Sequence, residues 1–558
     1  MMRKVLSLTI TLLAATVCYA ALPKANHAVF ADFTYNGVEK KGMSSWRNPI
    51  LPGWYSDPSV CRTGDDYWLV TSTFGYYPGV PLFHSHDLVN WEQVGNILNR
   101  PSQLAHLKGQ SIDRGGIYAP DISYNPHNQT FYMITTDVGK GHFYVTAKDP
   151  RGKWSDPIWL PEIGGIDPSF FFDDDGSAYI VHKEDTEGKP KWSNNRAIRI
   201  IRFDTKTGKT FGEDVPFREE GVGPEEQLAR DEGPHIYKIN GKYYMICAEG
   251  GTSWAHSEVC YRADSVFGPY TRWARNPMLT QRLLKPHPDY GVTCTGHVSM
   301  VQRQEGDWWA VFLGCRPWAG GTEQLGRETF LMPVKWSKDG FPYITMTRDT
   351  IPLNPSVNGA AHKKRATRFV SNFSHRKLEP EWMSLRGEVS GMKFVSYPIK
   401  TAERRAECLL LPCSDKLSAG TDTPSYLGRR IQHHEFTAET EMFFTPRDSS
   451  EAAGLLIFKN EKHQYFLCRT SEGIELRKIH GVEKCDTIAR TELPRYVDRV
   501  YLKAECKGTT YAFYYRTEGS GADDWTLVAD GVDAGFVSSR IGGFTGTTIG
   551  VYAEKVNY

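Results

Sequence analysis

The chain has 558 residues, which is enough for two or more domains. Its 66 Lys and Arg residues nearly balance its 65 Asp and Glu residues, and this balance argues against nucleic acid or an anionic membrane as the main partner. Aromatic residues make up 13% of the sequence, which suits an aromatic-rich β core or a surface that stacks against flat ligands such as sugars.

The N-terminus predicts export. Residues 1–4 are a short basic region, residues 5–17 are an apolar stretch of signal-peptide length, and Ala20 precedes a cleavage point before Ala21. The apolar stretch is too short to span a membrane comfortably. We therefore expect a signal peptide at residues 1–20, a periplasmic or extracellular location in a bacterium, and no membrane contact once the signal is removed. Export permits disulfides, but the ten remaining cysteines form no C-x-x-C pair, so we expect most to be buried free thiols.

From residue 45 to about residue 350 the chain predicts an all-β domain, because short alternating strands are bounded by Gly, Asp, Asn and Pro. Five segments share one plan, in which a polar residue beside Pro or Gly precedes an apolar strand, a turn and an aromatic-rich strand. They begin YSDPSV at Tyr55, YAPDIS at Tyr118, GIDPSF at Gly165, RDEGPH at Arg230 and TGHVSM at Thr295. Their marker residues, 46 to 65 positions apart, are Asp57, Asp121, Asp167, Glu232 and His297.

A repeat of this length predicts a five-bladed β-propeller over residues 45–350. The first strand of each blade lines the central channel of a propeller. Residues at the start of these strands are therefore expected to converge at one mouth of the axis, which explains why Asp167 precedes an apolar strand.

Residues 351–366 are rich in Pro, Asn and Gly and predict a linker. Residues 367–558 alternate again, in segments such as EFTAETEMFF, QYFLCRT and TYAFYYR. They predict a β-sandwich of lectin-like type with its own core.

The acids among the markers form the strongest candidate site. Hydrolysis of a glycosidic bond needs one carboxylic acid to protonate the leaving oxygen and one carboxylate to drive the nucleophile. Asp57, Asp167 and Glu232 supply such a pair and a third carboxylate, which can raise the pKa of the acid. The plainer alternative is that each acid caps a strand or pairs with an arginine.

The opening segment NPILPGWYSDPSVCRTGDDYWLVTSTFGYYPGVPLF resembles glycoside hydrolase family 43, in the β-xylosidase and α-L-arabinofuranosidase branch with a C-terminal sandwich. Matching motifs follow in order: GGIYAPDISY, GIDPSFFFDDDG, DEGPHIYKINGKYYMICAEGGT, TGHVSMVQ, LGCRP and LGRETFLMPVKW. The resemblance implies a five-bladed propeller and inverting hydrolysis. By motif it makes Asp57 the general base, Glu232 the general acid, and Asp167 the carboxylate that tunes the pKa of Glu232 and orients it.

The resemblance also implies further substrate-binding positions. Phe74 and Tyr118 resemble aromatic walls for the sugar, and Arg316 resembles a pocket arginine. For Asp121, substrate contact and a structural turn both stay open. The resemblance implies that His297 lies near the axis, where we expect it to contact substrate or to hold a calcium ion or water. Calcium prefers oxygen ligands. We expect the reaction to require no cofactor. In the sandwich, GGFTGTTIG from Gly542 resembles a loop over the pocket, with Thr548 near the place of an aromatic residue in relatives.

The sequence thus favours an exported exo-glycosidase that acts on plant cell-wall oligosaccharides derived from xylan or arabinoxylan. Release of terminal xylose by a β-xylosidase is the leading expectation, and removal of arabinose side chains by an α-L-arabinofuranosidase is the alternative. A non-catalytic carbohydrate-binding protein is a more remote one, because it would lack at least one of the three acids. A last alternative treats the sandwich as an independent sugar-binding module.

Overall fold

The computed structural model describes residues 26–38, 48–185, 196–217, 232–284, 291–317, 323–346, 348–352, 365–401, 404–417, 420, 422–481 and 484–556. The expected signal peptide and most of the expected linker lie outside these ranges. Among the described residues, no helix is long and apolar enough to cross a membrane. Short 3-10 turns occur at Pro101–Gln103, Ala534–Val537 and Ser539–Ile541.

Five consecutive antiparallel sheets form a five-bladed propeller, which confirms the predicted fold. Blade 1 contains Ser59–Thr63, Asp66–Val70, Gly79–Ser85 and Glu92–Leu98, and blade 2 contains Ile117–Asn125, Thr130–Asp137, Gly141–Ala147 and Ile158–Trp159. Blade 3 contains Ile166–Phe172, Ala178–Asp185, Arg196–Asp204 and Lys209–Pro216, and blade 4 contains Glu232–Ile239, Lys242–Glu249, Ser257–Ala263, Thr271–Arg272 and Leu279–Thr280. Blade 5 contains Thr293–Gln302, Trp308–Cys315 and Arg327–Pro333, and the pair Lys335–Trp336 with Pro342–Tyr343 follows it.

The propeller core lies between neighbouring blades, because each strand turns one row of apolar side chains toward the next sheet. Val70 and Leu82 of blade 1, for example, pack in one cluster with Met133 of blade 2. A further cluster joins Leu69 of blade 1 to Val311 of blade 5, and this contact closes the ring. The bridge between Leu51 and Thr329 adds the entering chain to blade 5.

The C-terminal part is a sandwich of two sheets, as predicted. The seven-stranded sheet contains Ser414–Asp415, Thr548–Lys555, Glu451–Asn460, His463–Arg469, Gly473–Gly481 and Lys484–Glu492 in that order, with Ser425–Arg430 also paired to Thr548–Lys555. The nine-stranded sheet contains Lys393–Thr401, Arg404–Pro412, His27–Phe30, Glu435–Phe443, Arg499–Lys507, Thr510–Thr517 and Thr526–Asp533 in order, with Phe33–Val38 and Arg368–Ser371 beside it. Ser384–Leu385 instead pairs with Tyr76–Tyr77 of the propeller.

Two strands from the N-terminus belong to this sandwich, although the sequence analysis placed it at residues 367–558 alone. His27–Phe30 pairs with Arg404–Pro412 on one side and with Glu435–Phe443 on the other. Phe30 and Tyr35 are buried in the sandwich core. The chain therefore starts in the sandwich, builds the propeller, and returns to the sandwich.

An apolar cluster joins the two domains. Trp54, Phe74 and Tyr76 of the propeller pack with Leu456 and Phe466 on the outer face of the seven-stranded sheet. Trp54 is completely buried there. Because this face of the sandwich is buried against the propeller, the sandwich can contribute side chains to the propeller mouth.

The ten cysteines among the described residues are all free, and most of them are buried. This confirms the expectation of buried thiols in the described part of the chain. Burial raises the pKa of the Cys468 and Cys506 thiols, which keeps them protonated and unreactive.

Candidate active site

In each blade, a residue with a left-handed backbone lies just before the innermost strand or within its first five residues. These residues are Asp57 (φ 55°), Ala119 (φ 29°), Asp167 (φ 56°), Gly233 (φ 59°) and His297 (φ 55°). A proline follows four of the five, and since proline lacks an N–H it cannot continue the ladder. Register shifts interrupt the pairing at the same place in blades 2 to 5. The strained backbone turns these residues out of the sheets and toward the shared axis.

This geometry corrects the alignment of the markers. The equivalent positions are those five residues, so Asp121 lies two residues after the blade 2 position and Glu232 one residue before the blade 4 position. Asp57, Asp167 and His297 are equivalent, as predicted. Glu232 reaches the same mouth from the preceding residue, because Gly233 occupies the left-handed position.

A pocket of about 440 Å³, adjoining open solvent included, lies at this mouth. It is lined by Asp57, Phe74, Tyr118, Ala119, Ile166, Asp167, Glu232, Thr252, His256, His297, Arg327 and Phe544. The structure thus brings together six of the eight residues predicted for the site. Asp121 and Arg316 are not among the described residues that line it.

Asp57 is arranged to stay ionised. The Ser72 hydroxyl donates a hydrogen bond to its Oδ2 at 2.6 Å, and the Arg327 guanidinium donates to its Oδ1 at 3.0 Å. Burial alone raises the pKa of Asp57, but Arg327, then His297 and Ser72, outweigh it and leave the pKa below its ordinary value. An ionised carboxylate held by two donors suits the activation of a water molecule.

Asp167 is the carboxyl that holds a proton most readily. Burial is the largest cause that raises the pKa of Asp167, which reaches about 6. His297 opposes this rise, and the charges of Glu232 and Asp57 add to it. The N–H of Gly233 donates to its Oδ2 at 3.2 Å, and His297 Nε2 lies 4.0 Å from the same oxygen. Asp167 is therefore tied to the residue that follows Glu232 and to blade 5.

Glu232 makes an ion pair that the sequence analysis did not anticipate. The Lys183 ammonium donates to its Oε2 at 2.8 Å. Burial raises the pKa of Glu232, but the charge and hydrogen bond of Lys183, then His256 and His297, outweigh it and leave the pKa below its ordinary value. Of the two carboxyls, Glu232 thus ionises more readily, and Asp167 is the one that gains a proton first as the pH falls.

Asp121 and Arg316 lie elsewhere. Asp121 accepts hydrogen bonds from the Ser59 and Ser123 hydroxyls, both at 2.8 Å, and from the Phe170 N–H at 3.0 Å, so it joins three blades below the pocket. It lines a smaller, deeper cavity along the axis, together with His235 and His297. Of the two roles left open by the sequence, this placement favours the structural one over substrate contact.

Arg316 forms a double hydrogen bond with Glu328, at 2.6 and 2.8 Å, so its guanidinium is already engaged. Arg327 is the arginine that enters the pocket instead. The two neighbours Arg327 and Glu328 point to opposite sides of their strand, as alternation requires. Strand alternation within LGRETF was the signal that could have identified Arg327 from the sequence.

The aromatic walls come from both domains. Phe74 stacks on Phe544 with ring centroids 6.0 Å apart, and Tyr118 meets Phe74 edge-on at 5.3 Å. Phe544 belongs to the sandwich loop that was expected to lie over the pocket. Thr548, in contrast, is buried in its strand, where its hydroxyl lies 2.8 Å from that of Tyr426. The aromatic ring that this loop brings to the pocket is thus that of Phe544, and Thr548 lies outside the pocket.

The cavity near His297 offers carboxylate oxygens as well as imidazole nitrogens, so the calcium ion expected there stays a prediction. The axial cavity beside His297 is lined by the carboxylates of Asp57, Asp121 and Asp167 and by the imidazole of His235, and the Asp121 carboxylate already accepts three hydrogen bonds. Calcium takes six to eight oxygen ligands. Within the described ranges, groups of three or more ligating side chains occur only at Asp66, His84 and His86 and at His182, Glu184 and Asp214, away from His297. No step below uses a metal.

The sequence and fold match known proteins over nearly their whole length. Residues 46–342 match the family model of glycosyl hydrolases family 43, and residues 370–557 match that of the beta xylosidase C-terminal concanavalin A-like domain. A non-reducing end alpha-L-arabinofuranosidase of Bacteroides ovatus is 36% identical over 523 residues, covering 92% of each chain. A xylosidase/arabinosidase of Butyrivibrio fibrisolvens is also 36% identical, covering 91% of this chain and 95% of its own. The crystal structure of a GH43_12 protein from a capybara gut metagenome is 35% identical with a TM-score of 0.82, covering 95% of this chain and 100% of its own.

These matches agree with the propeller, the sandwich and the pocket that the two domains share. The family is defined by hydrolysis of glycosidic bonds, and the pocket holds the carboxylates that such a reaction needs. This chain belongs to glycoside hydrolase family 43.

Proposed function

We propose that the enzyme removes a terminal xylose from xylo-oligosaccharides by single-step hydrolysis with inversion. The observation that carries this proposal is the convergence of Asp57, Asp167 and Glu232 on one pocket. Phe544 from the sandwich walls this pocket on one side, an arrangement that suits a chain end better than the middle of a polymer.

In the proposed reaction Asp57 is the general base. Its ionised carboxylate, held by Arg327 and Ser72, accepts a proton from the attacking water. Glu232 is the general acid: its protonated form, which the charge of Asp167 favours and Lys183 opposes, donates a proton to the leaving oxygen. Asp167 tunes the pKa of Glu232 and orients it through the Gly233 N–H. Phe74 and Tyr118 pack against the apolar faces of the sugar, and no cofactor takes part.

Removal of arabinose by an α-L-arabinofuranosidase activity is the second candidate. It is favoured by the Bacteroides ovatus relative, whose name specifies that sugar. The substrates proposed in both cases are plant cell-wall oligosaccharides derived from xylan or arabinoxylan. The experiment is hydrolysis of xylobiose and of an arabinose-decorated xylo-oligosaccharide, followed by product analysis. Xylose from xylobiose supports the first candidate, and arabinose with an intact xylose backbone supports the second.

The role of Glu232 is tested by its dependence on the leaving group. Glu232→Ala should abolish cleavage of xylobiose but reduce cleavage of an activated nitrophenyl glycoside much less, because a good leaving group needs little protonation. The measurement is kcat/KM on both substrates for both proteins. Equal losses on the two substrates would remove Glu232 from the role of acid.

We also propose export to the periplasm or the outside of the cell, which rests on the basic and apolar pattern of residues 1–20. N-terminal sequencing of the protein from its natural cell should start at Ala21. A sequence that starts at Met1 would contradict this proposal.

A further inference from the structure

Lys183 is the charged residue closest to the proposed acid that no step of the reaction uses. It lies on Ala178–Asp185, the second strand of blade 3, and is paired with Ile166, the residue before Asp167. This register places the lysine beside the first strand of the blade at the height of the acids. Its side chain is 10% exposed and that of Glu232 is 13% exposed, so their 2.8 Å hydrogen bond is largely shielded from water.

The local backbone allows this approach because residue 165 is glycine. Gly165 has a φ of 85°, and a Cβ at this position would lie 1.7 Å from the carbonyl oxygen of Lys183. Any side chain at residue 165 would therefore push the strand that carries Lys183 away from the acids. The glycine of the GIDPS motif thus brings Lys183 to the pocket.

We propose that Lys183 is a positioning residue, which fixes the carboxylate of Glu232 in the empty pocket and sets the highest pH at which Glu232 can act as the proton donor. This inference rests on the proposed role of Glu232. A charge-assisted hydrogen bond from a shielded ammonium restrains the carboxyl rotamer. The same contact stabilises the ionised form, so the free enzyme loses its catalytic proton at a lower pH than it would without the lysine.

Other charged groups face Glu232 from three further strands or their flanks, and none of them replaces Lys183. Asp167, on the first strand of blade 3, carries a negative charge when ionised and opposes the ionisation of Glu232. His256 precedes the strand Ser257–Ala263 and is buried, and burial lowers its pKa to about 4, so it is neutral at neutral pH. His297 is in blade 5 and also contacts Asp167. Among the described residues, Lys183 is the one recorded as an ion-pair partner of Glu232.

The test compares the pH dependence of kcat/KM for the native enzyme and for Lys183→Met on a substrate with a poor leaving group. The alkaline limb of this profile reports the acid of the free enzyme. Loss of one opposite charge should move this limb to higher pH by about one to three units. Lys183→Arg should keep the limb within about half a unit of the native value, because it keeps the charge.

Lys238→Met is the matched control. Lys238 lies in blade 4 on the strand that starts with Glu232, but it pairs with Asp173 at 2.6 Å, outside the pocket. Its removal should leave the alkaline limb in place. If Lys183→Met does not fold, Lys183→Gln supplies the same loss of charge with a polar side chain.

An alkaline limb that stays at the native pH in Lys183→Met, with only a lower plateau, would overturn the proposal and leave Lys183 a structural role. Failure of the proposed function would give a different result. In that case Glu232→Ala would lose equal activity on substrates with poor and with good leaving groups. A shift in both Lys183→Met and Lys238→Met would also overturn it, because the effect would then be a general one of net charge.

Discussion

The buried lysine between the two domains yields a prediction with a calculable magnitude. Lys459 has a fully buried side chain and donates a hydrogen bond to the carbonyl of Thr545 at 2.8 Å, while its ammonium lies 3.7 Å from Asp113. The N–H of Phe544 donates to the carbonyl of Asp113 at 2.9 Å. These contacts hold the sandwich loop that carries Phe544 against the propeller. The perturbation is Asp113→Asn, which removes the charge but keeps the size and a carbonyl acceptor.

Burial lowers the pKa of Lys459 to about 8, and the charge of Asp113 partly opposes this shift. At 3.7 Å the lost attraction corresponds to about 4.5 kcal/mol with an effective dielectric constant of 20. Lys459 has a second option, which is to lose its proton. At pH 7, one unit below a pKa of about 8, this costs only about 1.4 kcal/mol. Because loss of the proton costs less than loss of the attraction, the proton is lost, and this cost limits the destabilisation by Asp113→Asn.

The sign follows from linkage. The folded pKa of Lys459 lies below its unfolded pKa, so the native protein loses stability as the pH falls from the unfolded pKa to about 8. Asp113→Asn lowers the folded pKa further, so this loss of stability continues below pH 8. We expect Asp113→Asn to lower the free energy of unfolding by about 2.7 kcal/mol at pH 6, about 1.4 kcal/mol at pH 7, and almost nothing at pH 9. Urea unfolding followed by Trp fluorescence at these three pH values measures the difference.

Lys459→Met supplies the control, because without an ammonium the effect of Asp113→Asn should no longer depend on pH. The four proteins of this double-mutant cycle separate the charge interaction from the other hydrogen bonds of Asp113. An equal loss of stability for Asp113→Asn at pH 6, 7 and 9 would show that Lys459 does not titrate in this range and would refute the reasoning.

Two further outcomes follow from contacts described above. Arg327→Met should raise the pKa of Asp57 and so move the acid limb of the kcat/KM profile to higher pH by at least about one unit. Arg327→Lys should move it less, because it keeps the charge. An acid limb that does not move would show that Asp57 is not the group that titrates there. A fragment of residues 367–558 lacks His27–Phe30 and Phe33–Val38, so its nine-stranded sheet is left open and we expect no cooperative melting. Addition of a peptide of residues 26–38 should restore melting in circular dichroism. A bare fragment that melts cooperatively would support the sandwich as an independent module.

Much of the fold was predictable because the repeat recurs in short-range patterns. The five repeats, Asp57 and Asp167 follow from alternation and from the tripeptide Asp-Pro-Ser, which occurs in both blades. Matching the markers by residue type instead of by the proline placed Asp121 in the pocket. The prolines that follow Ala119 and Gly233 are the signal that aligns blades 2 and 4 correctly.

The contacts that complete the site were harder to predict, since they depend on long-range pairing. Lys183 lies in the run HKED, which is typical of a solvated strand end, and only its register with Ile166 places it beside the acids. Phe544 reaches the pocket from a different domain. The strand His27–Phe30 pairs with partners about 380 residues away, and no local pattern indicates such a distance.

That last pairing has a consequence for the order in which the protein can form. The first strand, His27–Phe30, cannot pair on both sides until residues 404–443 exist, which takes about 20 to 80 s at 5–20 residues per second. The propeller, whose strands pair mostly with near neighbours, can close during this interval. His27–Phe30 therefore stays unpaired beside a finished domain, and a chain that stops before residue 404 leaves it without either partner. His27–Phe30 is therefore paired on both sides only once the C-terminal sandwich is complete.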